Sequence, residues 1–277
     1  MTPTTPRKRR VLPGFGLSLG VTLTYFGLIV LLPVTGLLAK AATVPPELAW
    51  RLFTDPRTLA AFRVSFVASG LAALISVPIG VLLAWVLERY RFPGRRLLDA
   101  AVDLPFALPT AVAGIALTTL YVPDGWLGTP LAMLGINVAY TPLGIGVALL
   151  FVGLPFVVRT VQPVLAGLDP AAGEAALILG ASPWQIVSRV ILPPLVPAIT
   201  TGAALAFARA VGEYGSVIFI AGNRPMVSEI VPLLIVTRLE QYDNPGAALL
   251  GAAMLVISLL LLLLIDRMRR EVVARHA

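Results

Sequence analysis

Cysteine is absent from the 277-residue chain, which excludes a disulfide framework, thiolate chemistry and zinc–thiolate sites together. Histidine is nearly so: His276, next to last, is the single example and reads as tail rather than as ligand or general base. Charge is scarce. Only 13% of residues are Asp, Glu, Lys or Arg, against roughly a quarter in soluble domains. Lysine is confined to Lys8 and Lys40, and neither belongs to a G-x-x-x-x-G-K-[ST] stretch. The chain therefore has no P-loop with which to hydrolyse ATP. No cluster of residue types suggests a catalytic centre or a metal site.

What fills the chain is apolar. It is 58% hydrophobic, with a mean hydropathy of +0.91, the composition of an integral membrane protein, and one helical bundle accounts for residues 1–277 as a single domain. About 20 apolar residues cross a hydrocarbon core as a helix, and such runs fall at 15–39, 64–87, 104–121, 143–158, 195–220 and 247–265. The first follows a basic start, Arg7-Lys8-Arg9-Arg10. It is longer than a signal-peptide core and no small-residue cleavage site follows, so it reads as a span. Gly16 and Gly20 in it form G-x-x-x-G, read as chance in so glycine-rich a chain, with a helix-packing contact as the alternative. Pro78 predicts a kink in the second span. Pro105 and Pro109 loosen the start of the third, which a membrane tolerates only where protein or water surrounds the backbone. The fourth is short and ends at Arg159.

Six spans put both termini on one side. Arg7 to Arg10, Arg89, Arg91, Arg95, Arg96, Arg159, Arg189, Arg267, Arg269, Arg270 and Arg275 share that side. Only Lys40, Arg51, Arg57, Arg63, Arg224 and Arg238 fall on the other. The asymmetry sets the termini in the cytoplasm. The net charge of +7 and isoelectric point near 10.4 are thus topological, and a nucleic-acid partner is not implied.

One polar stretch, Leu168 to Pro193, interrupts the apolar sequence with Asp169, Glu174, Gln185 and Arg189. Asp169-Pro170 reads as an N-cap with proline at N1, with Glu174 in the first turn where the helix dipole favours a carboxylate. Gly180 suits a left-handed C′ position. Ser182-Pro183 starts a second short helix, which Pro193-Pro194 closes. Two short helices hinged at a glycine suit docking rather than catalysis; the alternative is an ordinary polar loop.

Glu174-Ala175-Ala176, then Gly180 after three residues, then Val190-Ile191-Leu192-Pro193 after nine more, resembles the EAA loop of ABC importer permeases. Val190 stands where isoleucine is usual. The resemblance implies that the loop, 168–193, seats in a groove on a separate ATPase. Glu174, Ala175, Ala176, Gly180, Ser182, Trp184, Leu192 and Pro193 are then the ATPase-coupling residues.

Arg209 and Glu213 lie four apart on one face of the fifth span. Charge inside a membrane is costly and faces protein or a water-filled cavity. Two readings stay open: a salt bridge that fixes helix packing, or a pair that lines or gates a translocation path. Residues 207–223 resemble the G-E-[FY]-G stretch of permeases for sulfate and molybdate, with Gly212, Glu213, Tyr214 and Gly215 in register. That resemblance implies a position near the cytoplasmic gate, with Glu213 first candidate. Thr110 and Ser216 follow as hydroxyls in spans, although most such hydroxyls bond their own helix.

The opening LPGFGLSLGVTLTYFGLIVLLP, the central LPFALPTAVAGIALTTLY and the late SEIVPLLIVTRLEQYDNPGAA resemble T-type permease subunits of bacterial sulfate/thiosulfate importers. The family implies an all-α membrane protein, a six-span helical bundle of the MetI-like ABC permease type with a cytoplasmic coupling-helix loop. It implies a second homologous permease subunit, an ABC ATPase dimer using ATP and Mg, a periplasmic sulfate-binding protein, and sulfate or thiosulfate as cargo. It implies no cofactor in this chain, and a multi-pass location among the lipids of the bacterial inner membrane. A molybdate or tungstate permease is the alternative within the class. A secondary transporter needs an internal inverted repeat, which the sequence lacks, and a non-transporting assembly factor leaves the hinged loop unexplained.

Overall fold

The computed structural model describes residues 14–276, and side chains as far as Arg267. The basic start at Arg7–Arg10 and the side chains of Arg269, Arg270, Arg275 and His276 lie outside the described residues. Within them every regular element is a helix. Five helices are long and apolar enough to cross a membrane: α1 (Phe15–Ala42), α3 (Pro56–Arg89), α8 (Pro142–Gly167), α10 (Pro183–Val211) and α13, which starts at Asn244 and runs to His276. Shorter helices link them: α2 (Pro46–Thr54), α4 (Arg95–Val102), α5 (Leu104–Ala107), α6 (Thr110–Tyr121), α7 (Gly128–Met133), α9 (Pro170–Ile178), α11 (Gly215–Ile220) and α12 (Val231–Glu240).

The span limits shift from the sequence expectation, and each shift has a cause. The second span begins at Pro56 rather than 64, because Asp55 accepts hydrogen bonds from the Thr58 amide (3.3 Å) and hydroxyl (3.2 Å) and starts the helix there. It stays helical through Pro78. The third expected span, 104–121, is broken: Leu108 and Pro109 are extended between α5 and α6. At 12 residues, α6 is only about 18 Å long, short of a ~30 Å core. The fourth runs well past 158, through Pro155 and Pro163 to Gly167, so Arg159 is interior to α8 and not its end. The sixth, expected at 247–265, starts at Asn244 because Asp243 takes the amide of Gly246 (2.9 Å) and pairs with Arg238 (2.8 Å). Those contacts, the amide first, hold the Asp243 carboxyl below its ordinary pKa.

The bundle is organised around α8. More than half of its apolar window is buried, 56%, against none for α1 on the periphery. Small side chains let its neighbours come close. Along α3 the buried face reads Ser65, Ser69, Ala72, Ala73, Ser76, Gly80, Ala84, and along α10 it reads Gly202, Ala206, Ala210. A methyl on Gly80 would stand 2.7 Å from Val157, and one on Gly202 would stand 2.8 Å from the Val157 backbone. Larger residues fill the space around this contact: Leu87, Val158, Val161, Leu165 and Leu195 are fully buried together. Gly16 and Gly20 have nothing near them, so their spacing makes no helix contact among the described residues.

Candidate functional site

The polar stretch forms the elbow that its residues predict, with two changes. Asp169 caps α9 by accepting from the Ala171 amide (2.9 Å), with Pro170 at the first helical position. Glu174 is the fifth helical residue, one turn later than expected, and points outward from an exposed position. Gly180 is left-handed, φ 82°, a conformation that costs a side-chain-bearing residue about 1–2 kcal/mol. Ser182 and Gln185 then form a reciprocal capping box, 3.3 Å from Ser182 Oγ to the Gln185 amide and 2.7 Å from Gln185 Oε1 to the Ser182 amide.

Pro193-Pro194 do not close the second helix. A π-turn at Val187–Ile191 widens the backbone just before them, and Leu192 donates to the carbonyl of Val187. The prolines thus sit where missing amides break no regular bond, and the helix continues to Val211. The second half of the polar stretch and the fifth span are one element.

The elbow presents apolar groups outward. Trp184 is 76% exposed, and Ile178 and Leu179 are each 86% exposed. Large hydrophobics exposed within a polar segment make it a candidate protein-contact surface. Sequence reading selected Trp184 but not Leu177, Ile178 or Leu179, which follow the E-A-A triplet; their run in a charged loop was the available signal. Ala175, Ala176, Leu192 and Pro193 frame the same elbow.

The fifth expected span, 195–220, stops at Val211. Gly212, Glu213 and Tyr214 leave the helix and α11 restarts at Gly215. Glu213 is enclosed, its side chain 1% exposed, and every oxygen is engaged. Oε2 pairs with Arg209 Nη1 at 2.6 Å, while Oε1 accepts from the Ser216 amide and hydroxyl, both at 2.8 Å. The carboxylate thereby satisfies one amide in the first turn of α11, that of Ser216. Ser216 is fully buried in this contact. Thr110, the first residue of α6, packs on Gly215, and Gly114 one turn on packs on the Ser216 backbone. All four candidates of the span region, Arg209, Glu213, Ser216 and Thr110, therefore meet where two helices are broken. Glu213 and Ser216 are buried, whereas Thr110 is half-buried and the Arg209 side chain is 36% accessible.

The level of this junction follows from its neighbours. Gly153 of α8 faces both Ala206 and Ser76, and Ala210 shares a buried cluster with Ala72 and Leu149. Arg209 is thus level with the middle of the 34-residue α3.

Two further arginines brace the bundle through ion pairs. Arg159 reaches from α8 to Asp103 (2.6 Å), Asp99 (2.7 Å) and Gln162 (2.6 Å), fastening α4 and α5 to the central helix. Its guanidinium holds the Asp99 carboxyl below the usual carboxylate range. Arg57 grips Glu229 as a fork, 2.7 Å at each arm, with the Glu229 side chain 1% exposed. Beside it Ser65 Oγ accepts from the Val231 amide at 2.8 Å, pinning the start of α12 to α3. The sequence had Arg57 and Glu229 in separate connectors. A cavity of about 780 Å³ between α3 and α8 is lined by apolar side chains with Arg63 as its one charge, and offers little to select an oxyanion.

Residues 76–275 match the family of binding-protein-dependent transport system inner membrane components. The sulfate transport system permease protein CysT of Escherichia coli (strain K12) is 49% identical over 261 residues, 94% of each chain. The protein of the same name from Synechocystis sp. (strain ATCC 27184 / PCC 6803 / Kazusa) is 50% identical over 250 residues, 90% of this chain and 87% of that one. Among solved structures, a bacterial ABC transporter that imports the acidic polysaccharide alginate has a chain of similar fold. Its TM-score is 0.75 at 19% identity, covering 93% of this chain and 96% of that one. The inward-facing methionine transporter MetNI is a second fold relative, with TM-score 0.56 at 20% identity, covering 84% and 100%.

Proposed function

The chain belongs to the binding-protein-dependent transport system inner membrane component family, and from that membership we propose that it carries sulfate, with thiosulfate as a second cargo, through an ATP-driven importer. It is a multi-pass permease subunit of the ABC type. The observation that carries the sulfate reading is near-50% identity, over almost the whole length, to proteins named as sulfate permeases. Molybdate and tungstate are the competing dianions.

In this reading the chain forms half of a path completed by a second, homologous permease. Two ATPase subunits, using ATP and Mg, bind the elbow at 168–193, and a periplasmic sulfate-binding protein delivers the anion. The termini and the elbow face the cytoplasm of a bacterial cell, across its inner membrane. Closure of the ATPases pushes on Glu174, Ala175, Ala176, Gly180, Ser182, Trp184, Leu192 and Pro193, and the bundle switches between two packings as a rigid body. Thr110, Arg209, Glu213 and Ser216 line or gate the path. The exposed Ile178, Leu179 and Trp184 support a protein partner at the elbow, and the lack of a P-loop supports an ATPase on another chain.

The test is reconstitution of the importer in vesicles with sulfate, thiosulfate and molybdate as cargo. Trp184→Ala should weaken retention of the ATPase by about 30-fold, as truncation of an interface aromatic worth ~2 kcal/mol does. Glu174→Ala and Gly180→Ala should leave the chain inserted but uncouple uptake from hydrolysis. Normal uptake by all three variants rejects the docking assignment, and molybdate uptake without sulfate uptake rejects the cargo.

A further inference from the structure

The two members of the mid-membrane ion pair differ in what they leave available. Glu213 is enclosed and both of its carboxylate oxygens are engaged: one pairs with Arg209 and the other accepts from two donors of Ser216. Arg209 is more than a third exposed, and among the described residues Glu213 is its one partner. A guanidinium carries five N–H donors, so most of them point away from the pair. They cannot point into lipid, because an unsatisfied charged group at that level is strongly disfavoured. Gly212, three residues on and so on the same face, is exposed and has nothing within 4 Å of where a Cβ would stand. Donors and free space therefore coincide at the gap between α10 and α11.

We propose that Arg209 is the residue that contacts the oxyanion midway across the membrane, and that Glu213 is the fixed counter-charge that keeps this contact weak. The proposal rests on the sulfate reading above and assigns the chemistry within it. The planar fork of a guanidinium matches two oxygens of a tetrahedral dianion. Without a counter-charge, a cation facing a dianion in a low-dielectric site would hold it too long for transport. Glu213 cancels one unit of charge while leaving the outer donors free. The exposed partner is the cation, so the path attracts the anion; the buried partner is the anion, so the cargo never meets it. Glu213 is a positioning residue, and Arg209 is the ligand.

The natural absence of cysteine makes the test direct. In the assembled importer, Arg209→Cys is the single thiol of this chain, and the mass of the chain reads its reaction with an aminoethyl methanethiosulfonate. Modification is expected, sulfate is expected to slow it, and the restored positive charge is expected to recover part of the lost uptake. No modification with or without ATP overturns the proposal, and so does modification that sulfate leaves unchanged. Arg209→Gln should lower sulfate uptake about tenfold or more, and Arg209→Lys should recover only part of that loss, because a lysine restores the charge but lacks the fork. The double variant Arg209→Gln/Glu213→Gln should stay as slow as Arg209→Gln; recovery in the double variant would make the pair a packing bridge and overturn the proposal. Glu213→Gln should lower maximal uptake through slower release, and an unchanged maximum removes its counter-charge role. If Arg209→Cys does not assemble, the Gln, Lys and double variants decide. A wild-type importer that moves no sulfate would defeat the cargo reading, whereas sulfate uptake that is indifferent to Arg209 would defeat this inference alone.

Discussion

Arg57 and Glu229 join two segments 172 residues apart through a two-armed contact whose acid is almost wholly enclosed. Removing the cation leaves that acid buried without a partner, so Arg57→Gln should destabilise the protein by about 3–5 kcal/mol. Thermal unfolding in detergent would check this, and Arg57→Lys should recover part of the loss while giving up the fork. This pair and the Arg159 cluster were illegible in the sequence, because periodicity pairs residues only within one helix. Arg209 and Glu213 were legible for the same reason, being four apart. What spacing could not disclose was their division of labour. That required knowing that the helix stops at Val211 and that Ser216 turns back onto the carboxylate. Glu174 shows a smaller shift of the same kind: its helix was predicted, but its turn was misassigned by one.

At the level of elements, five of the six expected spans coincide with long apolar helices, the third does not, and the limits of the five differ from those read. Hydropathy registers what lipid or core will accept, and glycine, proline and buried acids then decide where the backbone bends. The broken α5–α6 follows from Pro109, and the α10–α11 gap from Gly212 with Glu213 accepting the Ser216 amide. The opposite error occurred at Pro193-Pro194, where the π-turn let a helix pass two prolines expected to end it. The contact between α8 and α10 depends on small residues, which hydropathy ignores. Gly202→Ala would press a methyl against the Val157 backbone and the Thr160 hydroxyl. Such overpacking costs about 1–3 kcal/mol, and the variant should show a lowered unfolding temperature; an unchanged temperature would mean the two helices separate freely.

For the molecule as a whole, the consequence lies in the unbroken run from the Ser182 cap to Val211. With 29 residues it is a rod of about 43 Å, with Trp184 near one tip and Arg209 near the other. A rod transmits turning as well as thrust, so the angular phase between its two ends is fixed by residue count. Inserting one alanine after Leu195 would rotate Arg209 by about 100° relative to Trp184, whereas seven alanines would bring it back to within about 20°. Uptake should be lost with the single insertion and partly regained with the seven, although the longer insertion disturbs the helix more. Evolution in such a chain can vary the side chains along the shaft, but it cannot freely change how many there are.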